Sequence, residues 1–322
     1  MEQDRAPLLE AVTEFIDRRP AYFRVPGHRL ERGVSPRWTD KVGEKIFSYD
    51  VTETPLTDDL HCPAGAIDAA QKLLAALYGA DQSFFLVNGS TCGNEAMILS
   101  AALAGEKILV ARNAHKSAMM GLILSGAEPV YLMPEVLCEW GIQGEITEAS
   151  VRKGFAENPG CKALFMVNPS YYGVCSDLAA IAKVCHAYGA LLLVDEAHGG
   201  HLYFHKELPM GALEAGADLC VQSMHKVTGA LTQSSVLHSK YHGVGGAVLE
   251  RITQNLQLVQ STSPSYILMI SLDCARYELA LHGTEMMEKA LFLAAYARKR
   301  IAEIAGFRCM KGERFDLSLI HI

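Results

Sequence analysis

The sequence predicts an α/β fold in which a mostly parallel β-sheet is flanked by helices. From about residue 66, short runs rich in aliphatic residues alternate with segments of helical length, as in proteins whose strands are joined by crossover helices. Half of the residues are hydrophobic, which is enough to bury a large core. The predicted strands are Ser83–Val87, Lys107–Ala111, Pro129–Met133, Ala163–Val167, Leu191–Asp195, Leu219–Ser223 and Ser234–His238.

Between these strands, apolar residues recur at helical spacing and indicate helices that pack on the sheet. The first 60 or so residues contain Pro20, Pro26, Pro36 and Pro55 and no long periodic segment, so we predict an irregular arm with one short helix near Leu8–Ile16. Residues 265–305 have a strongly helical pattern. The two clearest series before them are Ile67/Ala70/Leu74/Leu77 and Leu178/Ile181/Cys185/Tyr188.

The order of these elements suggests a domain organisation. We expect an N-terminal arm over residues 1–60 and a large sheet domain over residues 61–285. Residues 286–322 would be a helix leading into a C-terminal domain that is truncated in this chain, since too few residues follow to build a second sheet.

Composition argues against several classes of protein. The 36 acidic and 29 basic side chains give a net charge of −7, and no Lys/Arg cluster could follow a phosphate backbone, so we expect no nucleic-acid partner. The polar start Met1–Arg5 is unlike a signal peptide, and no apolar run approaches the roughly 20 residues of a membrane helix. We therefore expect a soluble, cytoplasmic protein. Its nine cysteines are never two or three residues apart, which favours free thiols over disulfides or structural zinc.

Polar residues follow several predicted strands at the point where each strand ends. In open parallel sheets, ligands bind beyond the carboxyl ends of the strands, so these clusters indicate one shared site. The clusters are Asn88-Gly89-Ser90-Thr91, Asn168-Pro169, Asp195-Glu196-Ala197-His198 and Gln222-Ser223-Met224-His225-Lys226.

Two charged residues of these clusters suggest a pyridoxal phosphate (PLP) site. Lys226 follows a buried strand, where a lysine with a lowered pKa forms a Schiff base readily, although an ordinary solvated loop lysine is the simpler interpretation of Lys226 alone. Asp195 closes the apolar run Leu191–Val194, as expected of a carboxylate that holds the protonated pyridine nitrogen of PLP. A helix cap is an equally good interpretation of Asp195 by itself.

Two further segments fit the same cofactor. Asn88–Asn94 joins a strand to a helix and supplies small residues, hydroxyls and a helix N-terminus, which together suit a phosphate, although a plain capped turn is the alternative. His115 lies between a strand and a helix, where an imidazole could stack on a planar ring or be an ordinary residue at a helix start.

A metal site is a competing hypothesis for the third cluster. Asp195, His198 and His201 are close enough in sequence to bind a transition metal and would then act in a hydrolase. The pair Gly199-Gly200 argues against a helix that would align the two imidazoles, so we favour a site without metal.

The combined motifs, found from residue 20 to about residue 285, are far more specific than any one of them. They are Val25–His28, Thr52–Glu53, Asp58–His61, Phe84–Thr91, Arg112–Ser117, Asp195–Gly199, Gln222–Lys226 and Leu231–Gln233. In this combination the chain resembles the PLP domain of the ornithine/lysine/arginine decarboxylase family. The resemblance implies the large-domain fold of the PLP-dependent transferases, that of aspartate aminotransferase (fold type I).

The resemblance implies a role for each candidate site residue. Lys226 would carry PLP as a Schiff base, Asp195 would hold the pyridine nitrogen and His115 would stack on the ring. His198 would lie beside the ring near Lys226. The implied phosphate ligands are Ser90, Thr91, Ser223 and His225.

The activity implied by the resemblance is decarboxylation of arginine, lysine or ornithine to agmatine or a diamine, precursors of polyamines. Arginine is our first choice, because short family members without a receiver-like N-terminal domain often act on it. An aminotransferase or lyase on the same fold is the main alternative. In the family, the segment matching Ser261–Ser265 reaches the active site of a neighbouring subunit, so we expect a homodimer with shared sites.

Overall fold

The centre of the molecule is a β-sheet, seen in a computed structural model that describes residues 2–30, 32–243, 245–312 and 314–320. Within these residues the sheet has seven strands in the order β1-β9-β8-β7-β6-β2-β3, and β4 and β5 form a separate hairpin. The strands are β1 (Gln82–Leu86), β2 (Lys107–Ala111), β3 (Glu128–Leu132), β4 (Val136–Leu137), β5 (Ile142–Gln143), β6 (Ala163–Val167), β7 (Leu191–Asp195), β8 (Leu219–Gln222) and β9 (Ser235–Ser239).

The sheet is mostly parallel, as the sequence predicts. Strands β3, β2, β6, β7 and β8 run in one direction, each paired in parallel with its neighbour. Only β9 differs within the described sheet, since it pairs antiparallel with both β1 and β8. The six strands that run in the same direction, β1 included, therefore present their carboxyl ends at one edge, where a ligand site is expected.

Helices cover both faces of the sheet. They are α1 (Pro7–Asp17), α2 (Pro36–Val42), α3 (Lys45–Ser48), α4 (Ala66–Tyr78), α5 (Gly89–Ala101), α6 (Lys116–Ser125), α7 (Glu148–Glu157), α8 (Leu178–Ala187), α9 (Ala212–Ala215), α10 (Met224–Val227), α11 (Gly246–Val259) and α12 (Tyr266–Ala302). A short 3₁₀ turn spans Leu202–Phe204.

Strand side chains alternate between two buried cores. Leu192 and Val194 of β7 pack with α1, α4, α8 and α12, whereas Leu191 and Leu193 pack with α5, α6 and α11. A strand buried on both faces reads as a continuous apolar run, which explains why this strand was evident in the sequence.

All the predicted sheet strands are confirmed, with ends that differ by at most one residue. The hairpin of β4 and β5 was missed, because each strand has two residues and carries no periodic pattern. Helix α11 was also not predicted; its N-cap is Gly245 and its first residue is Gly246.

The prediction of a single short helix in the N-terminal arm is wrong. Besides α1, which extends the expected Leu8–Ile16, the arm contains α2 and α3. Pro7 and Pro36 occupy first-turn positions of α1 and α2, where proline is tolerated because its missing N–H has no intrahelical acceptor. Pro36, one of the prolines on which the prediction of an irregular arm was based, therefore starts a helix.

The long helix predicted over residues 265–305 is α12. Most of its buried residues lie in its first half, and its second half exposes Phe292, Leu293 and Tyr296. In the described part of the chain, no helix combines the length and apolar character that crossing a bilayer needs. The division into arm, large domain and start of a C-terminal domain stays a prediction.

The cysteines are free thiols, as predicted. Five of the nine are buried, and burial raises the pKa of the Cys92 thiol to about 12. Such thiols behave as small apolar core residues. The buried ones are Cys92, Cys161, Cys175, Cys185 and Cys220.

Candidate active site

A cavity of about 340 Å³ lies at the carboxyl ends of the central parallel strands. It is within the size range of small-molecule sites. Five of the residues singled out in the sequence line it together: Ser90, His115, Asp195, His198 and Lys226. The structure thus brings side chains from four separate strand ends to one place, while their individual roles stay predictions.

Asp195 is a buried carboxylate at the end of β7. Its side chain belongs to a residue that is 2% exposed. Oδ2 accepts a hydrogen bond from Nδ2 of Asn94 at 2.8 Å, and Oδ1 accepts one from the N–H of Ala197 at 3.1 Å. Burial raises the pKa of Asp195, although these two donors and the positive charge of Lys226 partly offset the rise.

Lys226 lies in α10, one turn beyond β8, and its amine faces the cavity. Nζ is 3.3 Å from Nε2 of His198. Partial burial lowers the pKa of Lys226, and the negative charge of Asp195 opposes that shift. A lowered pKa increases the neutral fraction of the amine, which is the nucleophilic form.

Asn94, Ser117, His115 and Asp195 form a connected set of hydrogen bonds that we call the inner network. Asn94 in α5 contacts both Asp195 and Oγ of Ser117, at 2.8 and 2.9 Å. Oγ of Ser117 is in turn 2.9 Å from Nδ1 of His115. Asn94, Ser117 and Asp195 are buried and shielded from solvent, whereas His115 is exposed at the cavity.

The start of α5 has the features of an anion site. Its N-cap residue, Asn88, makes no side-chain cap and instead donates from Nδ2 to the carbonyl of Val259 at 3.1 Å. Oγ of Ser223 donates to Oγ of Ser90 at 2.9 Å, which joins the starts of α5 and α10. The first N–H groups of a helix with no side-chain cap attract anions.

Three of the four predicted phosphate ligands do not line the described cavity. Thr91 lies in the first turn of α5, and Nδ1 of His225 is 3.0 Å from the carbonyl of Ser234. Since a carbonyl oxygen accepts, Nδ1 of His225 carries a proton. Ser223 also lies outside the cavity lining and reaches it through Ser90.

The sequence alternative of a metal site does not match the position of His201. Nε2 of His201 lies 2.9 Å from Oγ of Ser318 and 3.0 Å from Oδ2 of Asp316, whereas His198 contacts Lys226. The two imidazoles therefore face different partners. In the described residues, no group of His, Cys, Asp and Glu side chains has a metal-binding arrangement.

Glu196, next to Asp195, points away from the cavity into the core. Its carboxylate accepts hydrogen bonds from the N–H of Ala212 at 2.7 Å, from Nε2 of Gln222 at 2.8 Å and from Oη of Tyr203 at 2.9 Å. Burial raises the pKa of Glu196 to about 7, even though these donors oppose the rise. The two neighbouring carboxylates thus differ in their surroundings: that of Asp195 borders the cavity, whereas that of Glu196 is enclosed in the core.

The far side of the cavity, which we call the outer wall, comes from residues that the sequence did not single out. It consists of residues 136–143, residues 170–177 and a C-terminal segment, residues 308–312 and 314–316. The first two contribute Gln143, Ser170, Tyr171 and Tyr172 to the cavity lining.

The C-terminal segment holds the other two parts of the outer wall together. Its backbone pairs with residues 173–175 through the N–H of Asp316 and the carbonyl of Arg314. The guanidinium of Arg308 lies 4.5 Å from the ring centre of Trp140 in the turn of the hairpin. Each contact joins residues more than 130 positions apart, so no local sequence pattern could have revealed them.

Comparison with known proteins identifies the family. A model of the Orn/Lys/Arg decarboxylase major domain matches residues 6–319. The chain belongs to this family. The predicted resemblance is therefore confirmed.

Two members of the Orn/Lys/Arg decarboxylase family show how much of a relative the chain matches. The arginine decarboxylase of Bacillus subtilis is 39% identical over 313 residues, which are 97% of this chain and 63% of that protein. The arginine decarboxylase of Bacillus cereus is 41% identical over 309 residues, which are 96% of this chain and 66% of that protein. The chain thus spans somewhat less than two thirds of the length of these relatives.

The fold is also shared with solved structures of the family. Lysine decarboxylase A from Pseudomonas aeruginosa superposes with a TM-score of 0.85 at 25% identity, over 95% of this chain and 45% of that one. The predicted fold, the PLP-dependent transferase large domain with a mostly parallel seven-stranded sheet, is confirmed.

Proposed function

We propose that this chain is the PLP-binding domain of an enzyme that decarboxylates a basic amino acid. One observation carries the proposal: a single cavity brings together a buried carboxylate, an amine and the start of a helix with no side-chain cap. These three groups suit the three polar parts of PLP, which are the ring nitrogen, the aldehyde and the phosphate.

The surroundings of Asp195 fit a bound pyridine ring. Its hydrogen bonds within the described chain come from Asn94 and Ala197, both neutral, and burial raises its pKa. A buried carboxylate is stabilised when a cation joins it. A protonated ring nitrogen would be such a cation, and Asp195 would keep the proton on that nitrogen.

The start of α5 and Lys226 fit the other two parts. Ser90, at the start of α5, would bind the phosphate with the first backbone N–H groups, and Ser223 holds Ser90 in place through its hydroxyl. Lys226 would hold the cofactor covalently through Nζ. His115 would lie against the ring, and we extend the phosphate set to Thr91 and His225 on the family resemblance.

Different residues of the chain would have different roles in decarboxylation. Bound PLP supplies an electron sink for the electron pair left behind when the substrate carboxylate departs as CO₂. Asp195 strengthens that sink by keeping the ring nitrogen protonated. His198, 3.3 Å from Nζ of Lys226, is placed to exchange a proton with that amine, and Tyr171 packs edge-on against His198 with ring centres 5.8 Å apart.

Arginine is the substrate we favour, since both relatives described above are named arginine decarboxylases. The test incubates the purified protein and PLP with arginine, lysine or ornithine and identifies the products by mass spectrometry. Agmatine and CO₂ from arginine are expected. A keto acid would indicate an aminotransferase, and a protein that gains no visible absorbance with PLP would contradict the cofactor assignment.

We further propose that the protein is cytoplasmic and forms a homodimer in which each active site is built from both subunits. The segment Ser261–Ser265 joins α11 to α12, and its first three residues are exposed, as a segment that reaches a neighbouring subunit must be. Sedimentation gives the oligomeric state. If sites are shared, mixing Lys226→Ala protein with protein inactivated by substitution of Ser261 and Ser263 should restore activity, whereas separate sites would leave the mixture inactive.

A further inference from the structure

The inner network contains one residue, Asn94, that has no role in the sequence motifs or in the proposed function. Asn94 is completely buried in α5 and contacts both Asp195 and Ser117. We propose that Asn94 is a positioning residue that fixes the carboxylate of Asp195 and, through Ser117, the tautomer of His115. The arrangement concerns the protein alone, whereas its consequence for catalysis rests on the proposed function.

The orientation of the Asn94 amide follows from its neighbours. An ionised carboxylate only accepts hydrogen bonds, so the amide atom facing Asp195 must be the NH₂ group. The same nitrogen is 2.9 Å from Oγ of Ser117, so its two hydrogens are used by two acceptors. Asn94 therefore links the two side chains by donating to both.

Ser117 passes this constraint to His115. Oγ of Ser117 accepts from Asn94, which leaves its single hydrogen to donate to Nδ1 of His115 at 2.9 Å. The backbone N–H of Ser117 also donates to Nδ1, at 3.3 Å. Nδ1 is thus an acceptor from two donors, and the neutral ring carries its proton on Nε2. Both the plane and the tautomer of the imidazole follow from this contact.

The cost of this arrangement supports a role beyond packing. Oδ1 of Asn94 is buried and has no hydrogen-bond partner among the described residues. An unsatisfied buried carbonyl is destabilising, so an apolar side chain that fits the same space would serve a merely structural purpose better. The amide is explained by the two donors that it supplies to the inner network.

The backbone holds Asn94 at the required distance. Its neighbour Gly93 packs so tightly that an added Cβ would lie 2.5 Å from Cγ2 of Val221 in β8 and 2.8 Å from Cδ1 of Leu86 in β1. Because Gly93 has no side chain, α5 approaches the sheet closely enough for the Asn94 amide to reach the end of β7. The inner network is therefore built on rigid elements.

The test separates the two links with three variants of the protein without cofactor. Nitrogen-15 NMR of labelled histidine reports the His115 tautomer, and carbon-13 NMR of labelled aspartate follows the titration of Asp195. Because the backbone N–H of residue 117 remains a donor to Nδ1, Asn94→Ala and Ser117→Ala should each weaken the preference for the Nε2–H tautomer, and Asn94→Ala alone should also change the Asp195 titration. In Asn94→Ala the Asp195 midpoint should rise by about one to two pH units, because a donor to the buried carboxylate is lost.

Asn255→Ala is the matched control. Nδ2 of Asn255 in α11 donates to Oγ of Ser100 in α5 at 2.8 Å, which is another asparagine–serine pair between two helices, and neither residue lines the cavity. This variant should leave both readouts as in the unmodified protein. Where Asn94→Ala does not fold, Asn94→Ser keeps a polar side chain at this position and still removes one of the two donated hydrogens.

Two results would overturn the proposal. One is an unchanged Nε2–H tautomer of His115 in the Asn94 and Ser117 variants, and the other is an unchanged Asp195 titration in the Asn94 variants. Both measurements need no cofactor, so they differ from a failure of the proposed function. A protein that shows the expected tautomer shifts but does not bind PLP would keep the network and refute the cofactor.

Discussion

The two sides of the cavity are built in different ways. The inner network lies on regular elements packed in the core: Asp195 ends β7, Asn94 lies within α5, and His115 and Ser117 lie at the start of α6. The outer wall consists of a hairpin whose strands have two residues each, a loop and the C-terminal segment. Gln143 and Tyr171, which line the cavity on this side, are exposed. The inner side is therefore set by the core of the domain, and the outer side by contacts between distant parts of the chain.

This difference suggests that the inner side of the cavity carries the catalytic groups and that the outer wall recognises the substrate. Groups that hold charge at fixed positions gain from burial and from donors on rigid elements, and this is how Asp195 is held. Residues that select a substrate need to contact its variable end, and exposed loops tolerate such variation. We therefore expect changes on the inner side to affect turnover and changes on the outer wall to affect substrate binding.

The largest effect is expected from Lys226→Ala. Removal of Nζ should abolish covalent attachment of PLP, because no other lysine lines the described cavity. Borohydride reduction of the protein with PLP, followed by peptide mapping, identifies the modified lysine. Lys116→Ala is the control, since Lys116 is exposed beside His115 and should leave attachment intact. Modification of Lys116 in the unmodified protein would contradict the assignment of Lys226.

Asp195→Asn should leave PLP bound but lower turnover by several orders of magnitude, since an amide does not hold the ring nitrogen protonated. Steady-state kinetics measure the effect. Asp218→Asn is a matched control, because Asp218 is also a buried carboxylate, 3% exposed, but precedes β8 at the opposite edge of the sheet. A rate for Asp195→Asn within about tenfold of the unmodified rate, or about 1.4 kcal/mol, would remove Asp195 from its role.

The sequence predicted residues of the inner side of the cavity but not those of the outer wall. The sequence revealed Asp195 and Lys226 because each lies at or shortly after the end of an apolar strand. The local pattern of apolar residues indicates where such a strand ends. Asn94 was part of a recognised segment, yet its contact with Asp195 spans 101 positions and depends on how α5 packs. The outer wall depends wholly on such distant contacts, so sequence reasoning missed Gln143 and Tyr171.

Glu196→Gln tests whether the core behind the cavity is charged at neutral pH. Burial raises the pKa of Glu196 to about 7, above the usual value of 4.5, so its contribution to stability is present below about pH 4.5 and is lost as the pH rises to about 7. The glutamine variant lacks this loss. Relative to the unmodified protein, its free energy of unfolding should rise by about 2–3 kcal/mol between pH 5 and pH 8.

Urea unfolding at several pH values measures that difference. A constant cost of the substitution, such as a poorer match to the donors Ala212 and Gln222, does not affect the result, because only the change with pH is read. Equal pH dependence of the two proteins would mean that Glu196 titrates normally. The buried carboxylate beside Asp195 would then be ionised throughout this range.

The smallest effect on stability is expected at the outer wall, from Arg308→Ala. Arg308 packs over Trp140 at 4.5 Å and forms an exposed ion pair with Glu139, contacts that stabilise by about 0.5–1 kcal/mol. The same contacts hold the hairpin that carries Gln143. We therefore expect a KM for the amino acid about threefold higher, equivalent to about 0.6 kcal/mol, with kcat unchanged.

Arg152→Ala separates this effect from a general loss of charge. Arg152 forms an exposed ion pair with Glu148 on α7 and does not line the cavity, so its removal should change neither KM nor kcat. Steady-state kinetics of both variants decide between the two sides of the cavity. A lower kcat in Arg308→Ala would mean that the outer wall also positions the reacting groups, because a loosened hairpin would then act on the inner network.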